Sequence, residues 1–166
     1  FGQLVRVYER PVYNLAYRML GDPAEAEDAA QETFLRAYSR LSTYEPERKF
    51  VNWLLSIASH YCIDQLRQKG RSSQISLDGP LLSEWLASDR QSPEQEVSVK
   101  EEREQVRQVL ELLPPVHRAA VILRYWYGMS YQEIATVMST TESAIKSRLH
   151  RARVLMTRQF EQLQVG

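Results

Sequence analysis

The sequence has little cysteine, little glycine and no long apolar run. Cys62 is the single cysteine among 166 residues, which excludes an internal disulfide framework and fits a reducing compartment. Six glycines and seven prolines exclude collagen-like material. The longest stretch without Asp, Glu, Lys or Arg is the 14-residue segment 50–63, which is too short to span a bilayer. No basic and then apolar segment opens the chain, so we expect neither a signal peptide nor membrane insertion.

The composition is that of a soluble globular protein, with 43% hydrophobic and 25% charged residues. The net charge of zero hides an uneven distribution along the chain. Residues 72–104 hold eight acidic and three basic side chains, whereas residues 105–166 hold eight basic and four acidic ones. The segment 146–158 carries five basic residues and no acidic residue. This concentration favours a polyanionic partner, and a solvated basic face is the alternative.

Apolar residues recur at intervals of three and four, and no segment alternates with period two for the length of a strand. This pattern predicts an all-α fold. Gly21 is expected to end the first helix and Asp22 to cap the second, while Ser92 and Ser130 are expected to begin later helices. The predicted helices lie at about 3–20, 23–41, 49–69, 93–112, 115–127, 130–138 and 141–163.

The segment 72–92 interrupts the helical pattern with Gly79-Pro80 and several serines. We therefore predict two small helical domains, residues 1–71 and residues 93–166, joined by a flexible acidic linker. A domain of this size builds only a small core of its own.

The segment 128–156 has the pattern of a helix-turn-helix, with a short helix, a tight turn and a longer basic helix. Ile145, Leu149, Ala152 and Met156 form a core-facing stripe on the second helix. The next face carries hydrogen-bond donors and no carboxylate, as a helix that enters a major groove requires. Taken alone, the segment could also be a plain helical hairpin with a solvated face.

Several motifs together resemble one family. The segments GMSYQEIA at 128–135 and IKSRLHRAR at 145–153 resemble the C-terminal domain of extracytoplasmic-function (ECF) sigma factors of bacteria, and LLPPVHR at 112–118 resembles that domain's other hallmark. In the N-terminal half, DAAQETFLRAY at 28–38 resembles the family's core-polymerase-binding helix, and pieces of 53–67 resemble its promoter-melting helix. The resemblance covers nearly the whole chain.

The resemblance implies a transcription initiation factor that binds core RNA polymerase, recognises the −10 and −35 promoter elements and helps to melt DNA. It implies no catalysis, no cofactor and no metal. The implied partners are the clamp and flap regions of the polymerase, promoter DNA and an anti-sigma factor, and the implied location is the cytoplasm. The acidic linker would either mimic nucleic acid in the polymerase's RNA exit path or act as a solvated tether.

Positions that match the family's motifs then suggest three sets of binding residues. Phe34, Tyr38 and Trp53 could instead be core residues. The −35 element would be bound by Thr141, Ser143, Lys146, Ser147, Arg148, His150, Arg151 and Arg153. The −10 element would be bound by Tyr44, Lys49, Asn52, Trp53, Ser56, His60, Arg67, Lys69 and Arg71. Core polymerase would be bound by Asp28, Gln31, Glu32, Phe34 and Tyr38.

The chain departs from the family pattern at two places. Ser59-His60 stands where many relatives have Arg-Asn, on the face expected to meet unpaired promoter bases. Ser139 stands in the helix-turn-helix turn where many relatives have Gly. Because a residue with a side chain pays a penalty at positive φ, we expect this turn to adopt a different shape.

Two other classes of protein are alternatives. A helix-turn-helix regulator with a ligand-sensing N-terminal domain would have an enclosed pocket and form a homodimer, and the N-terminal motifs argue against it. An enzyme would need a phosphate loop, a nucleophile elbow, a metal cluster or paired catalytic carboxylates, and the sequence offers none of these. His60 and Cys62 do not share a helix face, so they do not predict a zinc site.

Overall fold

The computed structural model describes the backbone of residues 1–73 and 97–165 and the side chains of residues 1–70 and 99–162. In these ranges the chain forms seven α-helices, one 3₁₀ turn at Leu41–Thr43 and no strand, so the all-α prediction is confirmed. The helices are α1 (Gly2–Leu20), α2 (Pro23–Ser39), α3 (Phe50–Ser73), α4 (Val97–Leu112), α5 (Pro115–Tyr125), α6 (Tyr131–Val137) and α7 (Glu142–Val165).

Several helix ends differ from the prediction by two to four residues. α2 stops at Ser39 rather than at 41, because the chain tightens into the 3₁₀ turn. α3 continues through Gly70 to Ser73, one turn past its predicted end and into the predicted linker. A glycine inside a helix costs only about 0.5–1 kcal/mol relative to alanine, so it does not have to end one. The rest of the linker and the helix start predicted at Ser92 lie outside the described residues.

The helix caps predicted at Gly21, Asp22 and Ser130 are confirmed. Gly21 has φ 77° and its N–H donates to the Tyr17 carbonyl, which ends α1. The Asp22 side chain accepts hydrogen bonds from the backbone N–H groups of Ala24 and Glu25 at the start of α2. A reciprocal capping box of Ser130 and Glu133 begins α6. Each of these caps satisfies backbone groups that the helix itself leaves unpaired.

The N-terminal half is a bundle of α1, α2 and α3. Its centre holds Val12 and Leu15 of α1, alanines of α2, and Leu54 and Leu55 of α3, all essentially without exposure. Cys62 is also fully buried, and this burial raises the pKa of its thiol to about 12. The apolar spacing of the sequence therefore identifies the packing faces of the three helices.

In the C-terminal half, α5, α6 and α7 pack around apolar side chains that continue the core of the N-terminal half. Ile145, Leu149 and Ala152 of α7 are buried and Met156 lies at the edge, so the predicted core-facing stripe is confirmed. Ile122 and Leu123 of α5 are fully buried against them. The stripe fixes which face of α7 remains available for binding.

The two halves meet at a buried arginine. Arg118 of α5 is only 7% exposed, and its guanidinium donates to the backbone carbonyls of Met19 at 2.5 Å, Glu111 at 2.8 Å and Leu113 at 3.1 Å. Met19 and Glu111 lie in the last turns of α1 and α4, where carbonyl groups lack helical partners. One side chain thus caps two helix ends and joins the first half to the second.

The turn between α6 and α7 keeps a left-handed residue without glycine. Ser139 has φ 54°, and the next N–H, that of Thr140, donates to the Ala135 carbonyl at 2.9 Å. The expectation of a different turn shape is therefore wrong. The hydrogen bonds around the turn and the packing of α6 on α7 hold the serine in a conformation that it would not choose alone.

Replacing Ser139 should reveal this strain. Ser139→Gly should raise the free energy of unfolding by about 0.5–1 kcal/mol, because glycine reaches positive φ without the Cβ clash. Ser139→Val should lower it, since a β-branched residue fits this region worst. Urea unfolding followed by circular dichroism measures both variants, and a destabilised glycine variant would contradict the strain argument.

Removing the buried guanidinium should destabilise the whole molecule. Arg118→Met keeps the apolar stem but leaves three carbonyls without their donor, so the free energy of unfolding should fall by about 2–4 kcal/mol. Arg103→Met, at an exposed position of α4, is the matched control and should change it by less than about 0.5 kcal/mol. Equal urea midpoints for the two variants would show that the guanidinium does not hold the halves together.

Candidate nucleic-acid and polymerase interfaces

The second helix of the helix-turn-helix, α7, presents a polar outer face. The Thr141 hydroxyl accepts a hydrogen bond from the Ala144 N–H at 3.1 Å, so this predicted contact residue also caps the helix. Arg148 is half-buried. The other predicted −35 residues are all exposed: Ser143, Lys146, Ser147, His150, Arg151 and Arg153.

One edge of the polar outer face of α7 lies towards α6. The Arg153 guanidinium donates to the Tyr125 hydroxyl at 3.1 Å and to the Tyr131 hydroxyl at 3.4 Å. The hydrogen bond from Arg153 and the charges of Arg153, Arg124 and Lys146 lower the pKa of Tyr131. Sequence reasoning missed both tyrosines as supports, although Tyr131 belongs to the GMSYQEIA motif.

The second flank faces the start of α5. Burial lowers the pKa of His117, and the charges of Arg148 and Arg151 lower it further. Cations therefore lie on both sides of α7, with Ser143, Ser147 and His150 between them. Such a helix can hold phosphates at the edges of a groove while the small polar side chains, and Arg151 beside Ser147, approach the base edges.

An aromatic cluster at the start of α3 supports the predicted −10 residues. The rings of Tyr44, Phe50 and Trp53 lie 5.2–5.5 Å apart between centroids, and the Tyr44 hydroxyl donates to the Arg48 carbonyl at 2.6 Å. Tyr44 and Trp53 are half-buried, so each keeps part of its ring available. The cluster holds the 44–50 loop against the helix that carries Asn52 and Ser56.

The remaining residues predicted to bind the −10 element differ in exposure and in their partners. His60 and Arg67 are exposed, and a His60 ring nitrogen lies 2.7 Å from the Ser56 carbonyl oxygen. Ser59 is fully buried, so its expected place on the base-facing side is wrong, because it lies one helical step around towards the core. Lys69 forms an ion pair with Glu25 of α2, on a different side of α3 from Asn52 and His60. The side chain of Arg71 lies outside the described residues.

A groove of about 640 Å³ between α1 and α2 holds part of the predicted polymerase surface. Gln31, Phe34 and Tyr38 line it. Phe34 is only 8% exposed and lies at the base of the groove within the core, whereas Tyr38 is 65% exposed. Leu35, which sequence reasoning missed, is 66% exposed and is the more available apolar residue.

Asp28 and Glu32 lie on the other flank of α2. The Glu32 carboxylate accepts a hydrogen bond from Arg36 Nε at 3.0 Å, and the Arg36 guanidinium stacks over the ring of Tyr61 at 4.9 Å. Burial raises the pKa of Tyr61, and the nearby Glu32 and Asp28 carboxylates also raise it. The polar residues predicted to bind polymerase are therefore divided, with Gln31 on the groove and Asp28 and Glu32 on the α3 side.

A cleft of about 350 Å³ separates α3 from α6, and polar contacts cross it. The Asn52 amide donates to the Glu133 carboxylate at 3.1 Å, and the Ser56 hydroxyl donates to the Val137 carbonyl at 2.8 Å. The Lys49 ammonium lies 3.7 Å from the Glu133 carboxylate. Hydrogen bonds from Ser130 and Asn52, and the charge of Lys49, lower the pKa of Glu133.

Within the described ranges no group of three or more metal-ligating side chains comes together. Across the same part of the chain, every helix is too short or too polar to cross a membrane.

Each half of the chain matches the model of a known protein family. Residues 4–72 match the family model of Sigma-70 region 2, and residues 103–156 match that of Sigma-70, region 4. The chain is 32% identical over 168 residues to the ECF RNA polymerase sigma factor SigW of Bacillus subtilis, covering 98% of this chain and 90% of that protein. It is also 32% identical to the RNA polymerase sigma-H factor of Pseudomonas aeruginosa, with coverage of 98% and 87%.

Two solved structures share the fold. One is the sigma factor RpoE in complex with the anti-sigma factor NepR from Bartonella quintana, with a TM-score of 0.70, 22% identity and coverage of 97% of this chain and 96% of that one. The other is CnrH in complex with the cytosolic domain of CnrY, with a TM-score of 0.69, 23% identity and coverage of 98% and 88%.

The N-terminal half matches Sigma-70 region 2 over residues 4–72, which leaves no place for a ligand-sensing domain there. The chain belongs to the ECF sigma factors, and it is a transcription initiation factor that binds core RNA polymerase and directs it to promoters.

Proposed function

We propose that residues 1–71 bind core polymerase and the −10 element and that residues 93–166 bind the −35 element. The protein then acts by binding rather than by catalysis, in the cytoplasm. The observation that carries the proposal is the outer face of α7, where small polar side chains lie between two basic flanks and opposite the buried Ile145, Leu149 and Ala152. This is the arrangement that a recognition helix needs in a major groove.

The α1–α2 groove is the proposed contact with the polymerase clamp. Leu35 and Tyr38 are about two-thirds exposed beside it. Large exposed apolar side chains that line one groove mark a protein-binding surface. Gln31 on the same rim supplies hydrogen-bonding groups, while Asp28 and Glu32 form the edge towards α3. Val154, Leu155 and Phe160 on the distal part of α7 are 38–39% exposed and form the proposed contact with the flap.

The outer face of α3 is the proposed site for the single strand of the −10 element. Lys49 and Arg67 would contact phosphates, and Asn52, Ser56 and His60 offer donors and acceptors to unpaired bases. The exposed parts of Tyr44 and Trp53 would stack on bases. Lys69 is left out of this site because it pairs with Glu25.

An anti-sigma factor is the proposed regulator. One similar solved structure is a sigma factor in complex with an anti-sigma factor, and the other is CnrH in complex with the cytosolic domain of CnrY; both share the fold of nearly the whole of this chain. We infer that this chain is restrained in the same general way.

In vitro transcription with core bacterial polymerase on a genomic library tests the function. The wild-type chain should initiate at a set of promoters with one shared motif. Leu35→Lys should weaken core binding about tenfold or more and suppress these transcripts, because a charge replaces an apolar contact in the groove. Val7→Lys is the matched control, since Val7 is also 66% exposed but lies on the opposite side of α1 from the groove-lining Val5. Equal transcript levels for both variants would remove the groove from the polymerase interface.

The two flanks of α7 should contribute differently to −35 binding. Arg151→Ala should cost about 1–3 kcal/mol on the promoter duplex and much less on a scrambled duplex, because a base contact is lost. Arg153→Ala should weaken both duplexes nearly equally and reduce the salt slope by about 1, because phosphates carry no sequence information. Anisotropy titrations at several fixed salt concentrations measure both effects. Equal losses on the two duplexes for Arg151→Ala would refute its base-reading role.

A further inference from the structure

A further pocket lies where α1 meets the chain just beyond α5. It has a volume of about 250 Å³, and residues of both halves line it: Arg10, Pro11, Asn14 and Arg18 of α1, with Trp126 and Tyr127. No acidic residue belongs to this lining. We call this cavity the joint pocket. The surfaces proposed above for DNA and for polymerase do not include it.

The two arginines of the joint pocket have no carboxylate partner. Among the described residues, the salt bridges include neither Arg10 nor Arg18. Glu9, which is next to Arg10 in sequence, lines the α1–α2 groove on another side of the helix. Asp22, one turn beyond Arg18, uses its carboxylate to cap α2. Two positive charges without counter-charges therefore lie beside one small cavity, where they attract an anion.

Arg18 is held in place by an aromatic ring from the other half. Its guanidinium carbon lies 5.1 Å from the centroid of the Trp126 ring, and one terminal nitrogen donates to the Asn14 carbonyl at 3.5 Å. A guanidinium stacked in this way keeps in-plane N–H groups for a ligand. Such a fork donates in pairs to the oxygens of a phosphate.

The wall of the joint pocket adds no negative charge. The Tyr127 hydroxyl donates to the Pro11 carbonyl at 2.6 Å. Burial raises the pKa of Tyr127 to about 12, although the nearby Arg18 charge acts in the opposite direction. Tyr127 therefore stays protonated at neutral pH, and its hydrogen bond joins the two sides of the pocket.

The size and the donors of the pocket indicate the class of ligand. A volume of about 250 Å³ is below the range of about 300–1,000 Å³ that drug-sized ligands occupy. A single carboxylate satisfies one guanidinium fork, whereas a diphosphate has enough oxygens for two. We propose that the joint pocket binds a small molecule that carries a diphosphate, with Arg10 and Arg18 as donors to its oxygens. The Asn14 amide offers a further donor.

A ligand in this pocket would join the two halves of the chain. Its donors belong to α1, whereas Trp126, which positions Arg18, belongs to the C-terminal half. The complete site exists only when both halves are folded and packed together. Because the ligand binds this state and not the unfolded chain, it should stabilise the folded protein.

Calorimetric titration of the full chain with inorganic pyrophosphate in magnesium-free buffer tests the proposal. Pyrophosphate should bind with one-to-one stoichiometry. Arg10→Gln should weaken binding about tenfold, because it removes a charged donor from an exposed position. Arg6→Gln is the matched control, since Arg6 is exposed one turn earlier on α1 and lies outside the pocket lining. It should change the affinity by less than about twofold.

A charge-conserving variant tests the stacked guanidinium. Arg18→Lys keeps the positive charge but loses the planar fork, so pyrophosphate should bind about fivefold or more weakly. Circular dichroism checks that the variant is folded. Unchanged affinity in folded Arg18→Lys would overturn the assignment of the guanidinium as a ligand.

Thermal unfolding provides a second measurement. Pyrophosphate at ten times its dissociation constant should raise the Tm of the wild-type chain by about 4 °C. At the same concentration it should leave the Tm of Arg10→Gln nearly unchanged. Sodium sulfate at equal ionic strength is the control for screening, and an equal rise in Tm with sulfate would overturn the diphosphate site.

The remaining outcomes separate a small ligand from DNA. No binding of pyrophosphate by the wild-type chain, or equal binding by the wild-type and Arg10→Gln chains, would overturn the proposal. A fluorescein-labelled mixed-sequence duplex is titrated with the same variants. The duplex should bind wild-type and Arg10→Gln chains within about twofold. Duplex binding that falls about tenfold in Arg10→Gln, without pyrophosphate binding in the wild type, would overturn the small-molecule site and assign the arginines to the DNA backbone.

Discussion

The interaction on which the rest of the structure depends is the hydrogen bonding of the Arg118 guanidinium to three backbone carbonyls. A buried cation is tolerated only where acceptors replace its lost water. Here the acceptors are carbonyls at the ends of α1 and α4, which would themselves be unpaired without it. The carbonyls and the two terminal nitrogens of the guanidinium satisfy each other, whereas Nε has no partner among the described residues. This polar pairing, together with the apolar core that both halves share, fixes their relative position.

This constraint reaches both DNA surfaces through α5. The helix that carries Arg118 also carries Ile122 and Leu123, which pack beneath the stripe of α7 and so orient its polar face. The hydroxyl of Tyr127, just beyond α5, donates to the Pro11 carbonyl of α1 at 2.6 Å, and burial raises its pKa to about 12. With α1 and α5 joined in this way, α6 lies against α3, and the cleft between them is a consequence of the same joint.

The parts of this structure that are local in sequence could be predicted, and those that join distant residues could not. The caps at Gly21, Asp22 and Ser130 depend on neighbours within four residues, and the α7 stripe follows from helical period alone. The Asn52–Glu133 and Arg118–Met19 contacts join residues 81 and 99 positions apart, and no periodicity encodes them. Motif matching also did not predict which of two adjacent residues is exposed. One helical step separates buried Phe34 from exposed Leu35, and buried Ser59 from exposed His60.

A face that binds an unpaired DNA strand must carry donors and acceptors with no permanent partner in the protein. In the free protein such groups either remain hydrated or pair with another part of the chain. The tether between the halves keeps α6 at a high effective concentration near α3, so pairing within the chain competes well with water. Glu133 and the end of α6 supply the charge and the carbonyl that the α3 face is built to accept. In a two-part DNA-binding protein whose halves pack together, donors on one half are therefore satisfied by acceptors from the other.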